Sequence, residues 1–348
     1  MKTSVITMAD IEQDRGLLKK AGQIIRQGGL VAFPTETVYG LGANGLDERA
    51  CKRIYEAKGR PSDNPLILTV PDLAGATAVV ARFSHLEKAL IERFWPGPLT
   101  LVLPRKACVP DAATGGLDTV ALRCPDHAIC QAFLQEAGVP VAGPSANRST
   151  RPSPTTAAEV LHDMDGRIDM IIDGGMCHIG VESTIIECTG PAEVTILRPG
   201  GVTPTMLAEV AEAVILDAPL VQGIGTPKAP GMKYRHYAPN APMVVFVGTV
   251  ERVTTSIRQA YQEALAKGQN VGLLVSQEVA DAVAAEHCYV WGTHGDVIAL
   301  ANQLYTGLLS FDTERVDVIL AEGVISKGLG LAVMNRMKKA AGGHVIEV

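Results

Sequence analysis

Aromatic side chains are scarce, at 4% of a 348-residue chain. Cores built from this sequence must be aliphatic, and platforms for stacking the bases of single-stranded nucleic acid are few. An excess of positive charge is also missing: 31 Lys and Arg against 37 Asp and Glu give a formal net charge of −6. An obligate nucleic-acid binder is usually more basic, so any RNA contact has to come from a local patch. The seven cysteines (Cys51, Cys108, Cys124, Cys130, Cys177, Cys188, Cys288) are odd in number and contain no C-x-x-C pair. That excludes a zinc knuckle, argues against a disulfide framework, and leaves reduced cytosolic thiols as the default. Cys177-His178 could be half of a metal site, but it has no second half. No apolar run is long enough to span a bilayer, and Met1–Asp10 lacks the apolar stretch of a secretory signal. The expected setting is the cytoplasm, with no membrane partner. What is present, 47% hydrophobic and 20% charged residues, is normal for globular protein, and the length allows two domains with a core each.

The stretch Lys58-Gly59-Arg60-Pro61-Ser62-Asp63-Asn64 stands out, with strand-like Leu66-Ile67-Leu68 behind it. Asp47–Ala57 reads as a helix, and Gly followed by Pro cannot continue one. Lys58 and Arg60 therefore sit where the helix breaks. A point charge beside a planar fork suits a polyphosphate, with Ser62 and Asn64 fixing loop or ligand. The alternative is a solvated helix C-terminus, where cations are favoured by the dipole.

Around this loop the chain alternates helices and strands. Ile11–Gln27 reads as a helix ended by Gly28-Gly29, and Leu30–Phe33 as a buried strand. Pro34-Thr35-Glu36-Thr37-Val38-Tyr39-Gly40-Leu41-Gly42 then reads as a loop at a strand's carboxyl end, where α/β proteins bind ligands. Leu66–Val70 is a strand, and Ser84 with Glu87 forms a capping-box start for a helix stopped at Trp95-Pro96-Gly97-Pro98. His85, in its first turn, is expected to be exposed. Leu99–Leu103 and Thr119–Arg123 are strands. Arg123 at a strand end could clamp a carboxylate or form a surface salt bridge. Asp126–Gly138 is a helix with a good N-cap, and Val139–Ala142 a short strand. The polar run Gly143 to Thr156, with Ser145, Asn147, Arg148, Arg151 and Ser153, feeds a helix at Ala157–Leu161 whose N-terminus favours anions. Glu182-Ser183-Thr184 leads into the strand Ile185–Cys188, and Leu197-Arg198-Pro199-Gly200 closes the domain.

Taken in order, Pro34-Thr35-Glu36-Thr37-Val38-Tyr39-Gly40-Leu41, Lys58-Gly59-Arg60-Pro61 through Ser62-x-Asn64-Pro65, Pro144-Ser145-Ala146-Asn147, Ser153-Pro154-Thr155, Ser183-Thr184 and Arg198-Pro199-Gly200 closely resemble the YrdC-type family of threonylcarbamoyl-AMP synthases. The resemblance covers roughly the first 200 residues in order, far more specific than any single motif. It implies an α/β fold with a twisted, open mixed sheet and a large concave, positively charged face. It also implies condensation of L-threonine, bicarbonate and ATP with Mg²⁺ into threonylcarbamoyl-adenylate and pyrophosphate. The adenylate is then passed to partner proteins that modify tRNA beside the anticodon. Carried over by motif, Lys58 and Arg60 would hold ATP phosphates as the catalytic cations, with Ser62 and Asn64 shaping their loop. Ser145, Asn147 and Ser153 would meet the nucleotide, joined by Thr119 and Arg198. Thr35, Arg123, Gly143 and Ser183 would surround threonine, with Arg123 on its carboxylate. Thr69 would join them where many relatives have His, and Thr150 stands where Gly is common.

Helix Pro204–Val214 precedes an irregular segment to about Pro242. Its run Lys228 to Pro239, with Tyr234, Arg235, His236 and Tyr237, is basic and free of acids. It reads as a linker or as a lid over the nucleotide; the long form of the family has the same Tyr-Arg-His-Tyr run over its active site, which adds Tyr234 and His236 to the ATP contacts. From Met243 short apolar strands (Val244–Val247, Val271–Val275, Cys288–Trp291, Val316–Leu320) alternate with helices (about Arg252–Lys267, Glu278–Glu286, Asp296–Ser310, Leu329–Ala341). That pattern is a small doubly wound parallel sheet. Gly328-x-Gly330 reads as a plain turn. The expected organisation is 1–215 catalytic, 216–242 linker and lid, and 243–348 a Rossmann-like domain. Two competing functions are a non-catalytic double-stranded RNA or tRNA-binding module and a carbamoyl-transfer domain of the hydrogenase-maturation type. The net acidity counts against the first, and the lack of cysteine pairs against the second.

Overall fold

The computed structural model describes residues 2–217 and 236–348. These divide into two compact units, 2–149 with 153–178 and 182–217, and 150–152 with 179–181 and 236–348.

The first unit begins with the exposed edge strand β1 (Ser4–Thr7), followed by the largely buried β2 (Val31–Phe33), β3 (Gly40–Asn44), β4 (Ile67–Thr69), β5 (Leu99–Pro104) and β6 (Thr119–Arg123). They are followed by β7 (Val141–Ala142), β8 (Met170–Asp173), β9 (Thr184–Cys188), β10 (Glu193–Arg198) and β11 (Ala213–Leu216). All eleven join one mixed sheet in the order β1-β8-β2-β3-β7-β4-β6-β5-β9-β10-β11. The helices Arg15–Arg26 and Ala128–Ala137 bury Leu18, Ile25, Phe133 and Leu134 against Val31, Phe33 and Ile172. A second cluster packs Ile54, Leu90 and Val160 from the helices Glu48–Lys58, His85–Phe94 and Ala157–Met164 on Leu41, Leu68, Leu101, Leu122 and Ile186. The capping box of Ser84 and Glu87 is formed, and His85 is exposed.

Three local readings are corrected. The Gly40-Leu41-Gly42 stretch is strand β3, not loop. A Cβ on Gly40 would run into the Phe33 ring at 2.7 Å, so this glycine serves close packing between strands, not a turn. The helix beginning at Pro204 stops at Leu207, and Ala213–Leu216 pairs parallel with β10. Its Val, Ile and Leu lie along a half-exposed sheet edge and have no helical face to bury. Residue Asp126 does not cap its helix; His127 does, through a ring nitrogen accepting from the Cys130 N–H at 3.4 Å. Thr150, which stands where Gly is common, has φ 77°, the left-handed region that suits Gly and is unusual for a β-branched residue.

The second unit holds β12 (Met243–Val247), β13 (Val271–Val275), β14 (His287–Val290), β15 (Val318–Glu322) and β16 (Val345–Glu347). All are parallel, in the order β14-β13-β15-β12-β16. With right-handed crossovers, the helices Val250–Ala266 and Gln277–Val283 cover one face, and Val297–Glu314 and Leu329–Ala340 the other. That is the doubly wound sheet expected from the alternation. Within this unit Tyr237 stacks on Tyr305 at 5.5 Å and lies under the fully buried Arg336 guanidinium, and Arg151 pairs with Asp312 at 2.8 Å. Among the described residues no helix is long and apolar enough to cross a membrane.

Burial pushes the thiols of Cys51, Cys177 and Cys188 up to about 12 and that of Cys124 to about 11, whereas Cys108 is exposed. Titration of the native protein with a thiol reagent near pH 8 should show about one fast-reacting group. Cys108→Ser should remove that phase, and all seven thiols should react in denaturant.

Candidate active site

The helix Glu48–Lys58 starts at Asp47, whose side chain accepts from the Arg49 and Ala50 N–H groups, and ends at Gly59 with φ 63°. This places Lys58 inside the protein at 3% exposure and Arg60 at 9%, so the reading as a solvated helix end fails. Lys58 Nζ donates to the carbonyl oxygens of Ser145 at 2.5 Å and Asn147 at 2.6 Å. Its own carbonyl accepts from the Ser149 N–H. One buried ammonium thus ties the first polar loop to the second and keeps a third N–H for a ligand. Loss of hydration pushes Lys58 well below its ordinary 10.5; the charge of Arg60 adds to this and Asp163 opposes it. Arg60 donates to the carbonyls of Asn64 and Pro65, which closes the loop around its guanidinium. The Oδ1 of Asn64 is buried and has no hydrogen bond among the described residues, and Ser62 is exposed at the tip.

Strand register assembles the other half. Arg123 at the end of β6 lies beside Thr69 on β4 and opposite Thr100 on β5. Thr100 in turn pairs with Ile185 on β9, and Ile185 with Arg198 on β10. Because paired residues share a face, these five form one row across the sheet. The next row on the same face is Ile67, Ala121 and Val102; with Ile185 and Leu197 they make a small apolar floor distinct from the helix-covered core. Arg198 donates to the carbonyl of Ser183 at 3.0 Å and to its Oγ at 3.2 Å. Ser183 Oγ also meets Thr100 Oγ1 at 2.8 Å. Gly200 follows at a backbone crossing so tight that a Cβ would overlap the Ser183–Thr184 peptide.

The remaining loops border this row. Gly143 lies next to Thr69, whose Oγ1 would be 3.1 Å from a Cβ there. The Thr35 hydroxyl donates to the Val38 carbonyl and accepts from the N–H groups of Thr37 and Val38, so it shapes the turn carrying Glu36. Glu36 itself reaches Arg123, Oε2 to Nη2, at 2.6 Å. Arg123 is therefore in a buried ion pair, not a surface one. Ser153 donates to Glu182 at 2.6 Å. Asn147 is buried and donates to the Arg148 carbonyl. Thr119 stands four residues from Arg123, about 13 Å along the strand. It borders a cavity of about 620 Å³ shared with Ser84, Val102, Pro104 and Cys188. His236 belongs to the second unit, its ring 5.5 Å from that of Tyr237; Tyr234 lies outside the described residues. Sequence reasoning missed Thr100 as a site residue, and named Glu36 and Glu182 only within their motifs. The alternation of Leu99–Leu103 could have flagged Thr100 as the polar residue of an otherwise apolar strand.

Two buried cations on one loop, tied by Lys58 to a second loop, stand in the same unit as a hydroxyl-lined row at strand ends, an arrangement suited to an enzyme that handles a polyanion. Residues 23–200 match the family model described as Telomere recombination, of the Sua5, YciO and YrdC proteins, and residues 202–342 match that of the threonylcarbamoyl-AMP synthase C-terminal domain. The chain is 46% identical to the threonylcarbamoyl-AMP synthase of Bacillus subtilis over 94% of both chains. It is 48% identical to that of Pyrococcus abyssi, over 95% of this chain and 96% of the relative. A crystal structure of P. abyssi Sua5 complexed with L-threonine superposes with a TM-score of 0.94 at 44% identity, covering all of both chains. The chain belongs to the threonylcarbamoyl-AMP synthase family, whose members are nucleotidyltransferases of tRNA threonylcarbamoyladenosine biosynthesis.

A native Lys58 that is harder to protonate than the unfolded one makes the unfolded chain bind more protons between the two values. The Lys58 contribution to stability therefore rises with pH through that window up to about 10.5. The melting temperature of the parent minus that of Lys58→Met should accordingly rise as pH goes from 7 to 10. A difference independent of pH would show that Lys58 carries its charge at no cost.

Proposed function

We propose that the chain condenses L-threonine, bicarbonate and ATP into L-threonylcarbamoyladenylate and pyrophosphate. The observation that carries this reading is the buried Lys58 ammonium tied to the Ser145 and Asn147 carbonyls, in the same unit whose strand register brings Arg123, Thr100 and Arg198 into one row. Threonine sits among Thr35, Thr69, Arg123, Gly143 and Ser183, its carboxylate on Arg123. ATP phosphates lie against Lys58 and Arg60, with Asn64 and Ser62 shaping their loop, and Ser145, Asn147, Ser153, Thr119 and Arg198 serve the nucleotide. Addition of the threonine amine to bicarbonate releases water and leaves a carbamate. A carbamate oxygen then forms a bond to the α-phosphorus as the bond to the bridging oxygen breaks and pyrophosphate leaves.

No protein nucleophile enters this sequence. The protein contributes alignment, compensation of negative charge and exclusion of water from a labile adenylate. Mg²⁺ comes with the triphosphate as part of the substrate; among the described residues no three His, Cys, Asp or Glu side chains group to hold a metal ion. The organisation we adopt is 1–215 for catalysis, 216–242 as linker and 243–348 as the Rossmann-like domain. The setting is the cytoplasm, where the product passes to tRNA-modification partner proteins.

Pyrophosphate release from ATP should require both L-threonine and bicarbonate, each omitted in turn, with threonylcarbamoyl-AMP as the nucleotide product. Release indifferent to threonine would reject the reading. Lys58→Ala should lower kcat/KM by about 2–4 kcal/mol of transition-state stabilisation, the scale of one preorganised electrostatic group. Near-parental turnover would remove Lys58 from the catalytic set.

A further inference from the structure

Glu36 is 1% exposed and Arg123 8%, and their charged atoms are 2.6 Å apart. The contact is close but poorly aligned: neither oxygen of Glu36, nor Nε and Nη2 of Arg123, has a hydrogen bond among the described residues. Buried polar atoms are nearly always paired, and a buried ion pair is stable only when its remaining donors and acceptors are also satisfied. Oε2 and Nη2 face each other in the ion pair, which leaves Glu36 Oε1 as an unused acceptor and Arg123 Nε as an unused donor among the described residues.

Both side chains are held firmly. The Glu36 turn is fixed by the Thr35 hydroxyl, which bonds to Thr37 and Val38, and Thr37 is fully buried. Arg123 ends a strand paired on both sides. Rigid groups of opposite sign match a ligand that carries both signs on one carbon, as an α-amino acid zwitterion does. A carboxylate alone would be drawn by Arg123 and repelled by Glu36; the same ligand with an ammonium would satisfy both.

We infer that Glu36 is a substrate-recognition residue that receives the ammonium of L-threonine while Arg123 receives its carboxylate. The pair thereby selects amino acids over hydroxy acids of the same shape. This inference rests on the reading that threonine binds at Arg123. The test is calorimetric binding of L-threonine and of 2,3-dihydroxybutanoate, in which a hydroxyl replaces the amine, with ATP binding as a control for an intact site. The parent should prefer L-threonine by roughly 10- to 100-fold, the range of a charge-assisted hydrogen bond. Glu36→Gln should bring that ratio close to one by weakening threonine far more than the hydroxy acid, and should leave ATP affinity unchanged. Glu36→Asp, which keeps the charge one methylene further back, should weaken threonine and retain part of the preference. If Glu36→Gln weakens both ligands by the same factor, or if Glu36→Asp loses the preference altogether, Glu36 only holds Arg123 in place and the inference falls. A parent that binds ATP and not L-threonine would overturn the functional reading first and this inference with it.

Discussion

The ammonium of Lys58, enclosed by the carbonyl oxygens of Ser145 and Asn147, is the contact on which the rest of the first unit's chemistry depends. It fixes the distance between two loops that come from opposite ends of a long sequence interval, and does so with a charge, not a neutral donor. A charge removed from water raises the energy of the folded state, and only close acceptors and a later anion offset that. Arg60, Arg123 and Arg198 are buried in the same way, each bent onto carbonyls or a carboxylate. The unit holds four cations under low-dielectric conditions, where their field is least screened. Stability is given up locally for electrostatic preorganisation, the usual trade at a catalytic centre.

The sheet supplies the rigidity that makes this arrangement useful. Arg123, Thr100 and Ile185 come from three strands and share a row because side chains repeat with period two, and Arg198 on a fourth strand is brought opposite Ile185 by the register shift after Ile196. A slip of one residue in β5 or β6 would turn the row onto the helix-covered face. The apolar residues of the alternate positions, Leu101, Leu122 and Ile186, anchor that face in the core and so hold the register. Packing on one side of the sheet thus sets polar geometry on the other.

Much of this was legible in the residues. Thr119–Arg123 and Val271–Val275 are strands with the expected bounds, because apolar or β-branched runs between polar turns have few other outcomes. The helix ending at Lys58 was marked by Asp47 before it and Gly-Arg-Pro after it. β3 was not legible, since Gly40 and Gly42 mimic a turn when the Phe33 ring beside them is unknown. β11 was not legible either, because a short apolar segment after Pro204 fits a helix until its strand partner is given. The family resemblance located the cations, whereas the Glu36–Arg123 pair depended on the fold: two charges far apart in sequence do not announce that they meet. Thr100 was hidden for the same reason, since which side of β5 faces the ligand is a property of the sheet.

The outermost strand β1 has β8 as its neighbour, with Ser4 beside Met170, and β8 also separates β1 from β2. The chain emerges from the ribosome with its N-terminal end first, so β1 must wait for more than half of the first unit before it gains its neighbour β8. Until Met170–Asp173 arrives, Val5 and Ile6 have no backbone partner in the sheet, and neither does one side of β2. Long-range pairing of this kind folds slowly and leaves strand edges open in the meantime. The architecture that gathers the strand ends into one site therefore exposes the nascent protein to a period of vulnerability that a locally connected fold would avoid.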